Sequence, residues 1–224
     1  MTKKCYLCGN PATTKEHVPP LCLFPKDKDM SDGVNYRKKL ITVPSCVKHN
    51  LLKSKDDEYL QLIIIFGYFN NEIGREHFNK KIVRALTRRP AILKALYDNK
   101  LPVTVDAVPT VTVDIDRERF NNVLEQICQG LHFNDVKEKW ENPIIIHTPM
   151  LVSMNEPDSN KINEKVKNLI HAIINMLKNQ KKCGENPKIF WYQMLIDNSK
   201  NRLLCRMCFY EGFDVFAISD PIFN

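Results

Sequence analysis

Four residues near the N-terminus have the types and the spacing of a metal site. They form two pairs, Cys5 with Cys8 and Cys46 with His49, and each pair has two residues between its members. This gap allows both side chains to reach one ion from a tight turn, and thiolates and imidazoles are typical ligands of structural zinc. Gly9 follows the second cysteine, where such a turn often requires a positive φ. The sequence therefore predicts a structural zinc ion bound by three cysteines and one histidine.

An acid–histidine pair lies between the two halves of this metal site. Glu16-His17 is followed by Pro19-Pro20, which forces an extended course on the chain. A carboxylate suits a hard divalent cation, and a histidine with an unperturbed pKa of about 6.5 is largely a free base at neutral pH. A lone histidine is more often a surface or core residue, but the place of this pair between two half-sites favours chemistry.

Four further cysteines are expected to be buried thiols. Cys205 and Cys208 repeat the two-residue gap, but they lie in a predicted strand, where residues three apart point to opposite faces. No second Cys/His pair at ligand spacing lies close by, and Cys183 and His171 are the nearest candidates in the sequence. Cys22 and Cys128 are single. We therefore predict one zinc site rather than two.

Periodicity predicts the elements that position these residues. A short strand over 40–43 leads into the second metal pair, after a polar loop over 25–39. A helix follows over 55–69 with Ser54 as its N-cap, or alternatively it starts near Cys46 and runs through. Further helices are predicted over 72–88 and 91–97, with a break at Pro90 between them.

The second half of the chain changes to a mixture of strands and helices. Helices are predicted over 119–131 and 161–179, and a short buried strand over 144–146. Alternating apolar residues rich in Val and Thr predict two strands, and the tail reads as an antiparallel meander of three. The predicted strands are 102–105, 110–115, 189–196, 203–209 and 213–218. The prediction is an α+β fold with three parts, 1–60, 61–100 and 101–224.

Charge is concentrated in the first hundred residues. The chain carries a net charge of +7, to which residues 1–60 contribute +4, residues 72–100 contribute +5 and residues 101–224 contribute −2. Such asymmetry is expected where one end meets a polyanion. The predicted helix 72–88 and the residue after it carry a basic ridge, which is either a phosphate-binding surface or a solvated face. The basic ridge consists of Lys80, Lys81, Arg84, Arg88 and Arg89.

Composition and the first residues indicate a class of protein. Hydrophobic residues make up 43% of the chain and charged residues 26%, as in ordinary globular proteins, and no apolar run is long enough for a membrane span. No apolar segment follows the lysines at the start, which argues against a secretory signal. We therefore expect a cytoplasmic protein whose eight cysteines are thiols and metal ligands.

The motif as a whole resembles the HNH endonuclease family. Its pattern is Cys5-x₂-Cys8, then Glu16-His17-x-x-Pro20, then Cys46-x₂-His49-Asn50-x₂-Lys53. The resemblance covers residues 5–58 and implies a zinc-stapled ββα-metal module, a hairpin and a helix around a nuclease site. The later helices and meander resemble, more loosely, the body attached to some small bacterial HNH proteins.

The resemblance implies roles for particular residues. His17 would be the general base that takes a proton from the attacking water. Glu16 and Asn50 would bind a catalytic Mg²⁺ or Mn²⁺ ion through oxygen, and Lys53 would contact a phosphate. The zinc ion would hold the turn before His17 against the helix that carries Asn50.

The chain departs from the family pattern at three positions. His49 replaces the usual last cysteine, which still gives a good zinc ligand set. Asn50 replaces the more common histidine and still offers an oxygen ligand. Ile41 stands where the middle asparagine of the family is expected, and in the family that residue holds the loop of the base histidine.

The resulting functional prediction is a metal-dependent endonuclease that cuts DNA, in a setting such as restriction or phage defence. One alternative is a catalytically silent zinc-binding module that binds nucleic acid or a partner protein. Another is a toxin-like effector controlled by a partner that docks on residues 101–224, a surface that would also serve a homodimer. Glu16-His17 discriminates between them, because a pure binding module has no use for this dipeptide.

Overall fold

The computed structural model shows a mixed α+β fold, as predicted. It describes residues 3–88, 91, 102–105, 108–111, 114–151 and 159–219. Almost all of the predicted helix 91–97 lies outside these residues, and so does Arg89. No helix in the described part of the chain combines the length and apolar character needed to cross a membrane.

A short hairpin and a helix form the N-terminal module. Strands β1 (Thr14–His17) and β2 (Thr42–Ser45) pair antiparallel, with Thr14 opposite Ser45 and His17 opposite Thr42. The chain then turns into α1 (Val47–Asn50). This order of hairpin and helix brings the two halves of the predicted metal site to the same end of the module.

Helix α1 leads almost directly into α2. A 3₁₀ turn over Leu51–Lys53 joins α1 to α2 (Ser54–Ile65), so the helical course starts next to Cys46, which was the second of the two predicted starts. Ser54 is the first residue of α2 and not its cap. The predicted end at residue 69 is wrong, because the Asn70 amide donates to the Ile64 and Ile65 carbonyls, at 2.8 and 3.2 Å, and closes the helix early.

The helix predicted over 72–88 is confirmed as one continuous helical course. It consists of α3 (Glu72–His77), a π-helical turn over Phe78–Ile82 and α4 (Val83–Arg88). Asn71 caps its start, since its side-chain oxygen accepts a hydrogen bond from the Gly74 N–H. The basic ridge therefore lies on a helix, as expected.

The C-terminal body is built on a five-stranded antiparallel sheet. Its order is β5-β9-β8-β7-β6, and the predicted meander is confirmed. A separate hairpin pairs β3 with β4, and the second of these strands begins two residues before its predicted start. The strands are β3 (Pro102–Val105), β4 (Val108–Val111), β5 (Ile145–His147), β6 (Cys183–Asn186), β7 (Phe190–Asp197), β8 (Arg202–Phe209) and β9 (Phe213–Ser219).

Two helices cover the two faces of this sheet. Helix α5 (Arg117–Val136) is longer than predicted and packs against one face, where Phe120 meets Phe213 with ring centroids 6.3 Å apart. Helix α6 (Ser159–Leu177) packs on the other face around Phe216. Alternate residues of β7, β8 and β9 therefore enter two different apolar clusters.

The larger cluster joins the N-terminal module to the body. It contains Tyr6 and Val18 together with residues of α2, α5 and the sheet. Gly130 of α5 marks a close contact between the module and the body, because a Cβ atom there would lie 2.8 Å from Val18 Cγ2. The predicted segment 1–60 thus packs directly on the 101–224 body, and this contact fixes the chain just after β1.

Candidate metal centre and the hairpin beside it

The four predicted zinc ligands converge. Their ligand atoms all lie within 4.8 Å of one another. The Sγ atoms of Cys8 and Cys46 are 3.8 Å apart, and His49 Nδ1 is 3.4 Å from Cys46 Sγ and 3.6 Å from Cys5 Sγ. Two thiolates at tetrahedral positions 2.3 Å from zinc would be roughly 3.8 Å apart, so the donor set fits this metal.

Local backbone geometry explains the convergence. Gly9 has φ 73°, as predicted, and its N–H donates to the Cys5 carbonyl at 3.0 Å. Cys46 is the N-cap residue of α1, and the His49 N–H donates to the Cys46 carbonyl at 3.2 Å. The first pair therefore lies in a tight turn and the second on the first turn of a helix, and both backbones bring residues three apart to one side.

The electrostatics favour a cation at this cluster. Burial acts to raise the pKa of Cys5, but backbone N–H groups of Cys8, Leu7 and Cys46 and the His49 ring outweigh it and lower the pKa to about 6. For Cys8, the Asn10 N–H lowers the pKa, while burial and the neighbouring Cys5 and Cys46 raise it, and the net shift is upward. A bound cation would remove this repulsion between neighbouring thiolates.

Glu16 and Lys53 lie inside the module as an ion pair. Glu16 is 3% exposed and Lys53 is 7% exposed. Lys53 Nζ is 2.5 Å from Glu16 Oε1 and 3.3 Å from Asp57 Oδ1. Burial outweighs the attraction of Lys53 and raises the pKa of Glu16 to about 7. The cluster therefore contains two carboxylates, those of Glu16 and Asp57, and one ammonium group, that of Lys53.

This placement differs from the roles expected for the pair. The resemblance implied that Glu16 binds a divalent ion and Lys53 binds a phosphate, but each has the other as its partner in the interior. Alternation along β1 is the physical reason, because the position of Glu16 faces the core and that of His17 does not. Glu16 Oε2 is buried and has no partner among the described residues.

His17 ends β1 on the face opposite to Glu16. It is half-buried, and burial together with the charge of Arg37 lowers its pKa, so the ring is a free base at neutral pH. The Val18 N–H donates to the Ile41 carbonyl at 3.0 Å. The residue in the place of the expected asparagine therefore still holds the chain after His17, through its backbone instead of a side chain.

Asn50 connects α1 to the strand that carries His17. Its side-chain nitrogen donates to the Lys15 carbonyl at 3.0 Å, two residues before His17. The amide oxygen is the atom that would bind a hard cation. The strand that ends at His17 thus also holds the Asn50 side chain, whereas the carboxylate expected beside them lies in the interior.

Two members of the basic ridge form ion pairs within the protein. Lys80 forms an ion pair with Glu76, and Arg84 Nη2 lies 3.3 Å from Asp29 Oδ1. Lys81 is half-buried, and burial lowers its pKa. Arg88 is exposed. Among the described residues, neither Arg88 nor Lys81 has a carboxylate at ion-pair distance.

Three of the four cysteines that were predicted to be buried thiols are buried. Cys128, Cys205 and Cys208 are buried, and burial raises the pKa of Cys208 to about 12. Cys22 is half-buried and its thiol donates to the Asp57 carbonyl at 3.4 Å. Among the described residues, the cluster of Cys5, Cys8, Cys46 and His49 is the one group of His, Cys and acidic side chains with the geometry of a metal site.

Comparison with known proteins gives no match for this chain. No protein-family model matches the chain, and comparisons with curated proteins and with solved structures give no match. The interpretation of the site therefore depends on its own residues and geometry.

Proposed function

We propose that this chain is a metal-dependent endonuclease of the HNH type, which hydrolyses phosphodiester bonds in DNA. One observation carries the proposal. The cluster of three cysteines and a histidine ties the hairpin that carries His17 to the helix that carries Asn50, in the order hairpin then helix. This is the arrangement expected of a ββα-metal module, and the resemblance of the motif points to the same activity.

His17 is the proposed general base. Its ring is half-buried at the end of β1, and its lowered pKa leaves a nitrogen lone pair free at neutral pH. It would accept the proton of the water that attacks phosphorus, as the bond to the 3′ oxygen breaks. Zinc at the cysteine cluster would be structural, holding His17 and Asn50 in place.

Asn50 is the proposed protein ligand of a catalytic ion. A Mg²⁺ or Mn²⁺ ion there would supply positive charge against the scissile phosphate. The ion pair of Glu16 with Lys53 is assigned a supporting role, because it joins β1 to the turn that follows Asn50 from inside the module. The biological setting that such a nuclease fits is restriction or phage defence.

A second candidate is a zinc-binding module that binds nucleic acid or a partner without cutting. The burial of Glu16 favours it, since the carboxylate expected to hold the catalytic ion faces Lys53 instead. Ile41 in place of the expected asparagine favours it as well. The two functions differ in whether His17 and Asn50 are needed for any reaction.

A plasmid-nicking assay separates the two candidates. Zinc-loaded protein would be tested with Mg²⁺, with Mn²⁺ and without added divalent ion, since a strong chelator would also remove zinc. We expect ion-dependent nicking that falls by about 10²-fold or more in His17→Ala and in Asn50→Ala. His171→Ala is the matched control, because His171 is an exposed histidine of α6.

The other outcomes are equally informative. Absence of nicking by folded, zinc-loaded protein with either ion would overturn the nuclease and favour the binding module. Nicking that survives His17→Ala would overturn the assignment of the base.

A further inference from the structure

Hydrogen bonds fix the loop between β1 and β2 around Arg37. The Tyr36 hydroxyl donates to Asp32 Oδ2 at 2.5 Å, and the Arg37 N–H donates to Asn35 Oδ1 at 3.0 Å. Asn186 of β6 donates to the Tyr36 carbonyl at 3.0 Å, which ties this loop to the C-terminal sheet. A loop that the sequence marks only as polar thus holds a definite conformation around Arg37.

Arg37 is anchored in a way that leaves its outer nitrogens for a ligand. Its Nε donates to the Phe24 carbonyl at 2.8 Å, and the side chain is half-buried. In the part of the chain that the structure describes, no carboxylate lies within ion-pair distance of its guanidinium. An arginine held by Nε alone keeps the two parallel N–H groups that bind an anion with two oxygens.

A second cation lies near Arg37. The carbonyl that holds Arg37 belongs to Phe24, which lines one cavity together with Val18, the residue after His17. The preceding Leu23 carbonyl accepts a hydrogen bond from the Tyr210 hydroxyl, which lies 2.9 Å from Nδ1 of His77, four residues before Lys81. In line with these contacts, the charge of Arg37 lowers the pKa of both His17 and Lys81, after burial itself.

Lys81 is half-buried and, among the described residues, has no carboxylate at ion-pair distance. The charge of Asp29 acts to raise the pKa of Lys81, but the Asp29 carboxylate is paired with Arg84 at 3.3 Å. Two half-buried cations that repel each other are stabilised if an anion binds between or beside them.

We propose that Arg37 binds a backbone phosphate of the DNA beside His17, with Lys81 as the second cation on the path of the strand. The inference rests on the proposed function, because it names how the same site holds its substrate. Arg37 is a positioning residue here, since a phosphate contact fixes the register of the strand without reading its sequence. A phosphate contact at Arg37 would connect the hairpin to the basic ridge, to which Lys81 belongs.

Binding and cutting are measured separately to test this. Fluorescence anisotropy of a labelled DNA duplex would be recorded with zinc-loaded protein, without Mg²⁺ or Mn²⁺, at several salt concentrations. Arg37→Gln should weaken binding about tenfold and reduce the slope of log affinity against log salt by about one. Lys81→Gln should show a similar loss, and Arg37→Lys should restore most of the salt slope.

Arg75→Gln is the matched control. Arg75 also donates from Nε to a backbone carbonyl, that of Asn70, at 2.9 Å, but it lies on α3 and does not act on His17. Its replacement should leave affinity and salt slope unchanged. A merely structural role of Arg37 would lower the melting temperature without changing the salt slope of the folded variant. If Arg37→Gln does not fold, the affinity and salt slope of Lys81→Gln and Arg37→Lys test the proposal instead.

The outcomes distinguish this inference from the proposed function. Wild-type affinity and salt slope in Arg37→Gln would overturn the phosphate site, even if the wild type cuts DNA. Binding that depends on Arg37 without any cutting would support the phosphate site and overturn the nuclease. A folded, zinc-loaded wild type that neither binds nor cuts the duplex would overturn both.

Discussion

The N-terminal module and the C-terminal sheet each contain a Cys-x₂-Cys segment, and the two segments direct their thiols differently. Cys5 and Cys8 lie in a turn that Gly9 closes, and both reach the cluster completed by Cys46. Cys205 and Cys208 lie in β8, opposite Ala217 and Asp214, so they face the two sides of the sheet. A two-residue gap therefore indicates a metal site only where the backbone turns between the two cysteines.

The two regions also differ in what holds them together. The N-terminal hairpin pairs strands of four residues each, which is too little for independent stability. Strand β8 pairs along its length with both β7 and β9, and apolar clusters cover both of its faces. We therefore expect the hairpin to depend on metal and the sheet to depend on burial of apolar side chains.

Removal of zinc should produce the largest difference in stability between the two regions. Cys46→Ala should lower the zinc content from about one ion per chain to near zero, because three remaining ligands hold a structural ion poorly. Structural zinc contributes about 10 kcal/mol or more in small modules, so amide exchange should become fast in β1 and β2. Metal analysis and hydrogen exchange measure these changes.

Cys208→Ala is the matched control from the sheet. It should retain one zinc ion and normal exchange in the hairpin, while the sheet loses about 1–2 kcal/mol of stability from the lost packing. The comparison between the regions breaks down if Cys208→Ala loses zinc, or if Cys46→Ala keeps it.

Loss of the ion pair in each region should produce the next largest difference in stability. Lys53→Met leaves the buried Glu16 and the half-buried Asp57 without their cation and should destabilise the protein by about 3–5 kcal/mol. Arg206 and Asp214 form a pair on the sheet that is partly exposed, with an Nη2–Oδ2 distance of 2.8 Å. Arg206→Met should therefore change the stability by about 1 kcal/mol or less. Chemical denaturation measures both variants, and equal effects would show that the internal pair is hydrated.

The pH dependence of Glu16 gives a smaller effect. Its folded pKa of about 7 lies above its ordinary value of 4.5, so the folded state binds the proton more tightly than the unfolded state. This contribution to stability is fully present below about pH 4.5 and is lost as the pH rises to about 7. Relative to Glu16→Gln, the wild type should lose roughly 2–3 kcal/mol across this window.

Glu16→Gln serves as the reference because it shares every other titratable group with the wild type, so their pH dependence cancels in the difference. Denaturation at intervals from pH 4.5 to 7.5 measures the difference between the two proteins. A difference that is constant with pH would mean that Lys53 keeps Glu16 ionised throughout, and that the N-terminal ion pair behaves like the exposed pair of the sheet.

Regular periodicity made most of the elements predictable. The helix over 72–88 and the three-stranded meander were found from apolar spacing and turn residues, since these segments form their contacts in regular repeats. Strand β6 was missed because Cys183–Asn186 has no alternating pattern and pairs only at one edge of the sheet. The end of α2 was misplaced because it depends on a side-chain cap from Asn70.

Spacing and residue type were enough to predict that Cys5, Cys8, Cys46 and His49 converge, because local backbone geometry governs where these side chains point. The partners of Glu16 and Arg37 depended on contacts between segments distant in the chain. Alternation turns Glu16 inward, and only the packing of the turn at Lys53 against β1 makes that lysine its partner. Likewise, the carbonyl of Phe24 and the amide of Asn186 fix the loop that presents Arg37. No local pattern in the sequence encodes these hydrogen bonds, since each joins residues that folding alone brings together.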